Sequence, residues 1–409
     1  MNLRYQFLLT AFFLSSMLII SPLGQICRIQ AASPDYWPTA DWQMATPESH
    51  DMNTTLLAEM EVYIDLWEWA DDMTSLLVVH EGYLVYENYF GNASREDELQ
   101  PIQSITGCIT SILVGIAIAQ GFIGSVHDYV LNFFPNHTFD NMDVWKEAMT
   151  IEHLLTMKSG LPWGDYRYAF DSPTSDYYNM THTDDWVQWL LNRPLEYPPG
   201  EYWLHNTGAT HLLSAIITMA TGMNTSVFAD EYLFSPLGIT DFEWLNDPQG
   251  AAMGGYDLYL RSRDMAKIGF LYLHGGVWDG QIIVPYSWVT ASLTTYHTIV
   301  PAALSHGYGY QWWTHPRIGA FAAHAFAGSR IFVIPGYDLI MILTGNNHDI
   351  NQHSILENYI IPALPVPSSH IDPVVLMVVI TVSFITAVVV GRVFWKRRRY
   401  LHTPYSTQQ

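Results

Sequence analysis

The chain predicts an α/β (α+β) fold in which one sheet is built from both ends of a single domain, with a helix-rich stretch inserted between them. Three observations carry this. Residues 75–91 form two β-type runs around Glu81-Gly82, and residues 331–345 form two more around Pro335-Gly336. Residues 126–293 between them are rich in helical spacing broken by Gly and Pro. With 409 residues and a 49% hydrophobic composition, the chain is long enough to bury a sizeable core.

Taken in order, Arg4 followed by the apolar stretch 7–20, a break at Ser21-Pro22 and small residues at Ala31 and Ala32 read as an export signal over residues 1–32, with an uncleaved anchor as the alternative. Residues 33–49 are a Pro-containing, aromatic lead-in, and residues 50–364 form the folded domain. Within it, residues 56–71 carry apolar positions at helical spacing, the 75–91 hairpin follows, and residues 353–363 read as the closing helix. Residues 365–373 are a short linker. Residues 374–394 are apolar and long enough to span a bilayer, and the cluster Lys396, Arg397, Arg398 and Arg399 opens the tail 395–409 and marks it as cytoplasmic. This places the domain outside the cell membrane on a single-pass anchor.

The charge distribution agrees with that placement. The formal net charge is −22, all 39 acidic residues fall between Asp35 and Asp372, and seven of the 17 basic ones lie near the two ends. So acidic a domain excludes nucleic acid and an anionic membrane surface as its partners. Sequons at Asn53, Asn92, Asn136, Asn179 and Asn224 fit an exported glycoprotein. If the leader is removed Cys27 goes with it, and Cys108 alone forms no intramolecular disulfide.

The stretch 103–125 organises the rest. Apolar residues at Ile109, Ile112, Leu113 and Ile116 form a core helix ending near Gly121, with Ser104 at its first turn. A serine there is either an N-cap or a nucleophile placed where unpaired backbone NH groups favour negative charge.

With the segments MTIEHLLTMKSGL (149–161), PGEYWLHNTGATHLLSAI (199–216), LFSPLGITDFEW (233–244), the run 254–288 and YGYQWW (308–313), this stretch resembles the serine beta-lactamase-like superfamily: class C beta-lactamases, D-alanyl-D-alanine peptidases and related esterases. The resemblance implies a beta-lactamase/transpeptidase-like fold, an antiparallel sheet flanked by helices plus a helical subdomain, here followed by a C-terminal transmembrane helix. It also implies Ser104 as nucleophile. The family's lysine, three residues on, is replaced by Gly107. The position of its tyrosine base is occupied by His205, with Thr207 two residues later. Its third motif falls in FAAHAFAGSRIFVIP, where His324 or Phe326 stands in, and backbone NH groups at Ser104 and in residues 326–329, which include Ser329, would hold an oxyanion. Trp203 and Trp313 flank these motifs and are expected to touch substrate.

Two functions follow. Either hydrolysis is impaired or lost and the cleft binds a small molecule, peptide or cell-envelope ligand, or Ser104 is activated by His205 alone, a neutral imidazole with an ordinary pKa near about 6.5. No cofactor is expected. No metal is expected either, because His80-Glu81 lacks a second histidine three residues on and neither His297 nor His348 sits in a ligand-spaced cluster.

Overall fold

Asn53 opens the first helix, α1 (Thr54–Asp65), by accepting hydrogen bonds from the backbone NH groups of Thr55 and Leu56. The strands β1 (Met73–His80) and β2 (Tyr83–Tyr89) then form the expected hairpin. Both residues between them have positive φ, Glu81 at 51° and Gly82 at 84°, the turn geometry whose twist matches that of the flanking strands. In the computed structural model the described residues are 33–66, 72–91, 96–164, 172–299, 306–346 and 350–365. The proposed leader, the linker beyond Pro365, the span 374–394 and the basic tail lie outside them. Among the described residues no single helix is long and apolar enough to cross a membrane.

Three long helices build the layer that carries the site. Helix α2 (Thr106–Ala119) is buried along almost its whole length. Helix α3 (Thr207–Thr221) starts at Asn206, whose side chain accepts from Ala209 N, and stops at Gly222 in the left-handed region. Helix α4 (Ser262–Leu273) lies on the sheet, where Gly269 faces Ile331, Val333 and Ile340. Gly115 of α2 lies against the face of Trp288: a Cβ there would sit 2.4–2.5 Å from three indole ring atoms. Gly115→Ala is therefore expected to destabilise the domain by about 1–2 kcal/mol in urea melts, because overpacking against a rigid ring outweighs the gain of about 1 kcal/mol in helix propensity.

The C-terminal half supplies β3 (His297–Ile299), β4 (His306–Tyr308), β5 (Trp313–His315), β6 (Ala320–His324), β7 (Gly328–Ile334) and β8 (Leu339–Asn346). The sheet runs β2-β1-β8-β7-β6-β5-β4-β3 with every pairing antiparallel, so the two ends of the domain do share one sheet. Alternation along the strands separates two cores. Leu77, Val79, Phe321, Ala323, Ile331, Val333, Ile340 and Ile342 pack with α2, α3 and α4. Leu76, Val78, Ala320, Ala322, Phe332, Met341 and Leu343 face the other way, onto α1 and the closing helical stretch that begins with α5 (Gln352–Ile355).

Candidate functional site

Ser104 occupies the middle of a short 3-10 turn, Gln103–Ile105, that runs directly into α2. Its hydroxyl caps neither helix and makes no hydrogen bond among the described residues, so the N-cap role is not filled. The preceding residue, Gln103, has φ 50°. A long side chain held in the left-handed region costs about 1–2 kcal/mol, and here it turns the chain so that Ser104 is left half-buried rather than sealed in the core. The Gln103 side chain is anchored in turn: its Oε1 accepts from Ala327 N at 3.1 Å, which fixes the 325–328 turn beside the serine.

One turn beyond Ser104 the expected vacancy at Gly107 is filled from outside. A Cβ on Gly107 would meet Gln311 Oε1 at 2.7 Å and Thr210 Cγ2 at 3.4 Å. Gln311 is itself buried and fully engaged. Its Nε2 reaches the carbonyls of Leu154 and Leu155, each at 3.2 Å, while Oε1 accepts from Thr210 Oγ1 at 3.3 Å and Tyr308 OH at 3.4 Å. A buried amide with both ends satisfied is held in place, because displacing it would strand several polar groups. Gln311 also has φ 69° and Met157 has φ 57°; Met157 Sδ accepts from Asn206 N at 3.3 Å and Met157 O accepts from Leu204 N. Three non-glycine residues in the left-handed region thus converge on the starts of α2 and α3.

Among the described residues no amine from elsewhere replaces the missing one. The described domain holds three lysines, and each is tied to backbone carbonyls: Lys146 to Asp140 and Leu191, Lys158 to Tyr296, Lys267 to Thr39 and Gly238. Cys108 is a core thiol, donating to the Gln311 carbonyl at 3.0 Å, and burial pushes its pKa up, away from the reactive thiolate.

The other sequence-derived positions divide. His205 lies just ahead of α3, and desolvation pushes its imidazole down to about 4, so it is neutral at neutral pH and a weaker base than an ordinary imidazole. Thr207 is buried at the first position of α3, with its Cγ2 and carbonyl against Gly255. Trp203 meets Trp313 edge to face with centroids 6.2 Å apart and stacks on His297, but Trp313 is itself a correction: it pairs with Ala322 on the second-core face and stacks on His324 at 5.0 Å. Phe326 is exposed on the turn that Gln103 anchors. His324 and Ser329 are corrections. His324 shares its sheet face with Phe332 and His315, the face of the second core, because strand alternation turns it away from the α2 layer. The Ser329 hydroxyl is buried in an irregular pairing of β7 with β8, bonded to both the NH and the carbonyl of Gly345, and lines no cleft. Gln311, Thr210 and Met157 are the site residues that sequence reasoning missed. Gln311 lies inside the recognised YGYQWW segment, but only the fold shows that its amide meets Gly107.

The comparisons with known proteins agree with this frame. Esterase EstB of Burkholderia gladioli is 25% identical over 220 residues, 49% of this chain and 55% of that protein. Penicillin-binding protein 4* of Bacillus subtilis (strain 168) is 26% identical over 176 residues, 41% of this chain and 37% of the relative. The chain thus spans about half the length of the curated relatives it matches. A penicillin-binding protein homologue from Caulobacter crescentus superposes with a TM-score of 0.57 at 16% identity, over 73% of this chain and 95% of that one, a likeness of fold. The beta-lactamase family profile matches residues 72–361, from β1 through the closing helical stretch, and the chain belongs to that family.

Proposed function

We propose that the chain is an exported protein, tethered to the cell membrane by residues 374–394, whose beta-lactamase-like cleft binds a peptide, a cell-envelope fragment or another acyl-bearing small molecule and hydrolyses it slowly or not at all. One observation carries the reading: the space behind Ser104 where the family's amine belongs is filled by the Gln311 amide, while every lysine of the described domain is engaged elsewhere. Loss of one member of a group that acts as a unit commonly slows the reaction on the order of a thousandfold or more. The left-handed backbone at Gln103, Met157 and Gln311 supports use of the cleft, since such conformations cluster at binding and active sites, where the surroundings enforce them. Its ligand side would include Trp203 and Phe326, and the acidic domain leaves nucleic acid aside.

A second reading has its own support. Ser104 is presented outside the core with no hydrogen bond among the described residues, and His205 is a neutral imidazole at the position of the family's tyrosine, so a Ser/His hydrolase, with a base weakened by burial, is the alternative. Fluorophosphonate and penicillin probes separate the two. The expected result is no stoichiometric adduct on Ser104 at high probe concentration, with reversible penicillin binding that weakens in Trp203→Ala. A fast adduct on Ser104 that disappears in His205→Ala would establish the hydrolase instead.

A further inference from the structure

Four histidines that no motif connects meet on the face of the sheet opposite the Ser104 helix. His306 opens β4, His315 closes β5, His324 closes β6 and His353 lies in α5. The first three recur nine residues apart because each belongs to one strand of the same antiparallel meander. Ligand nitrogens of His306, His315 and His353 all lie within 4.8 Å of one another. The Nε2 atoms of His315 and His324 face each other at 3.1 Å. Nitrogens sharing a tetrahedral ion at about 2.0–2.1 Å stand about 3.3 Å apart: the His315–His324 pair, hydrogen-bonded at 3.1 Å, has that spacing, and the His306, His315 and His353 nitrogens, within 4.8 Å of one another, close up by at most about 1.5 Å to reach it.

The surroundings fit an ion-binding role. Phe332 packs against His315, His324 and His353 with centroids 5.4–5.6 Å away, an apolar floor that keeps the rings together and limits water. The buried Nδ1 of His353 has no hydrogen-bond partner and lies 3.8 Å from Glu357 Oε1, one turn along. Glu357 also pairs with Arg317, which offsets that guanidinium near the cluster. Arg330, the other nearby cation, donates its NH1 to the carbonyls of Ala325 and Ser329.

We propose that His306, His315 and His353, with His324 as fourth imidazole, bind one divalent ion of the zinc class. An all-nitrogen donor set without carboxylate or thiolate selects zinc, copper or nickel over magnesium or calcium. The ion is structural. It joins three strands at one end of the sheet to the closing helical stretch, adding to the apolar contacts of the second core, the Gln352–Gly328 hydrogen bond and the Glu357–Arg317 pair.

The test uses the full-length protein, purified in detergent with a histidine-free tag, stripped with chelator and titrated with Zn2+. One ion per chain, a melting temperature that rises with Zn2+, and visible absorption of a four-coordinate site with Co2+ are expected. His306→Gln and His353→Gln, at partly exposed positions, should each weaken Zn2+ binding more than about tenfold. His50→Gln, in a separate cluster with His80 and Glu81, should leave it unchanged. If one of the two variants misfolds by near-UV circular dichroism, the other variant and the wild-type Co2+ spectrum still decide. Failure of the wild-type protein to retain Zn2+, or retention lost in His50→Gln but kept in His306→Gln and His353→Gln, overturns the proposal.

Discussion

Replacing Asp247 by alanine is expected to lower the stability of the folded domain by about 2–4 kcal/mol, because it removes a buried acceptor and leaves its hydrogen-bond partners unsatisfied. Asp247 Oδ2 meets His211 Nε2 at 3.1 Å, and both side chains are sealed from solvent. Its other oxygen accepts from the backbone NH groups of Gln249 and Ala251 at 2.9 and 2.8 Å. Truncation therefore strands two buried donors, the His211 ring and Ala251 N, and also releases the partly exposed Gln249 amide, which together outweigh the net worth of about 1 kcal/mol usual for a single hydrogen bond. Trp186 packs edge-on against His211 with centroids 5.1 Å apart, so the imidazole cannot turn out to water without unpacking the core. His211 lies on α3, the helix that also carries Thr210 against Gly107, so the loss should loosen the Ser104 site as well. Asp247→Asn retains an oxygen for the two amides and should lose distinctly less. Urea denaturation of the three proteins checks the order, and a shift below about 1 kcal/mol in Asp247→Ala would mean that the pair supports little.

Much of the fold is legible in the sequence because its signals are local. Glu81-Gly82 can only reverse the chain, and it does so with two positive φ angles. The apolar spacing after Ser104 gives α2, and Gly121 ends it with φ 81°. Faces and fillings are less legible. The third motif in FAAHAFAGSRIFVIP reads equally well at His324 or Phe326, two residues apart; β6 ends at His324 on the second-core face, and only Phe326, in the turn beyond the strand, escapes it. Ser329 fails differently: its hydroxyl is consumed by a β-irregularity with Gly345 that no spacing announces. The histidine cluster is invisible for a topological reason. Metal-ligand motifs are recognised at short spacings on one element, whereas His306, His315, His324 and His353 come from four elements and meet only once the meander is paired.

Gly107 and Gln311 together give the test with the largest expected effect on chemistry. Gly107→Lys alone should destabilise the protein by about 1–3 kcal/mol and gain little reactivity, because the new side chain collides with the Gln311 amide, and that amide is held by contacts to Leu154, Leu155, Thr210 and Tyr308. Gln311→Gly removes the obstacle at a position whose φ of 69° glycine adopts without strain. In the double variant Gly107→Lys/Gln311→Gly the amine lies one helical turn from Ser104 on the same face, where it can take the hydroxyl proton during attack on an acyl or phosphonyl centre. A positioned general base contributes roughly 10²–10⁴-fold, so fluorophosphonate labelling of Ser104 should accelerate by about that factor over the wild-type chain and vanish when Ser104→Ala is added. Equal labelling rates in the wild type and the double variant would show that the missing amine is not what limits this serine. Acceleration confined to the double variant, absent from Gly107→Lys and from Gln311→Gly alone, would show that the glycine and the glutamine act as one substitution: a base withdrawn and its space closed by a neutral amide.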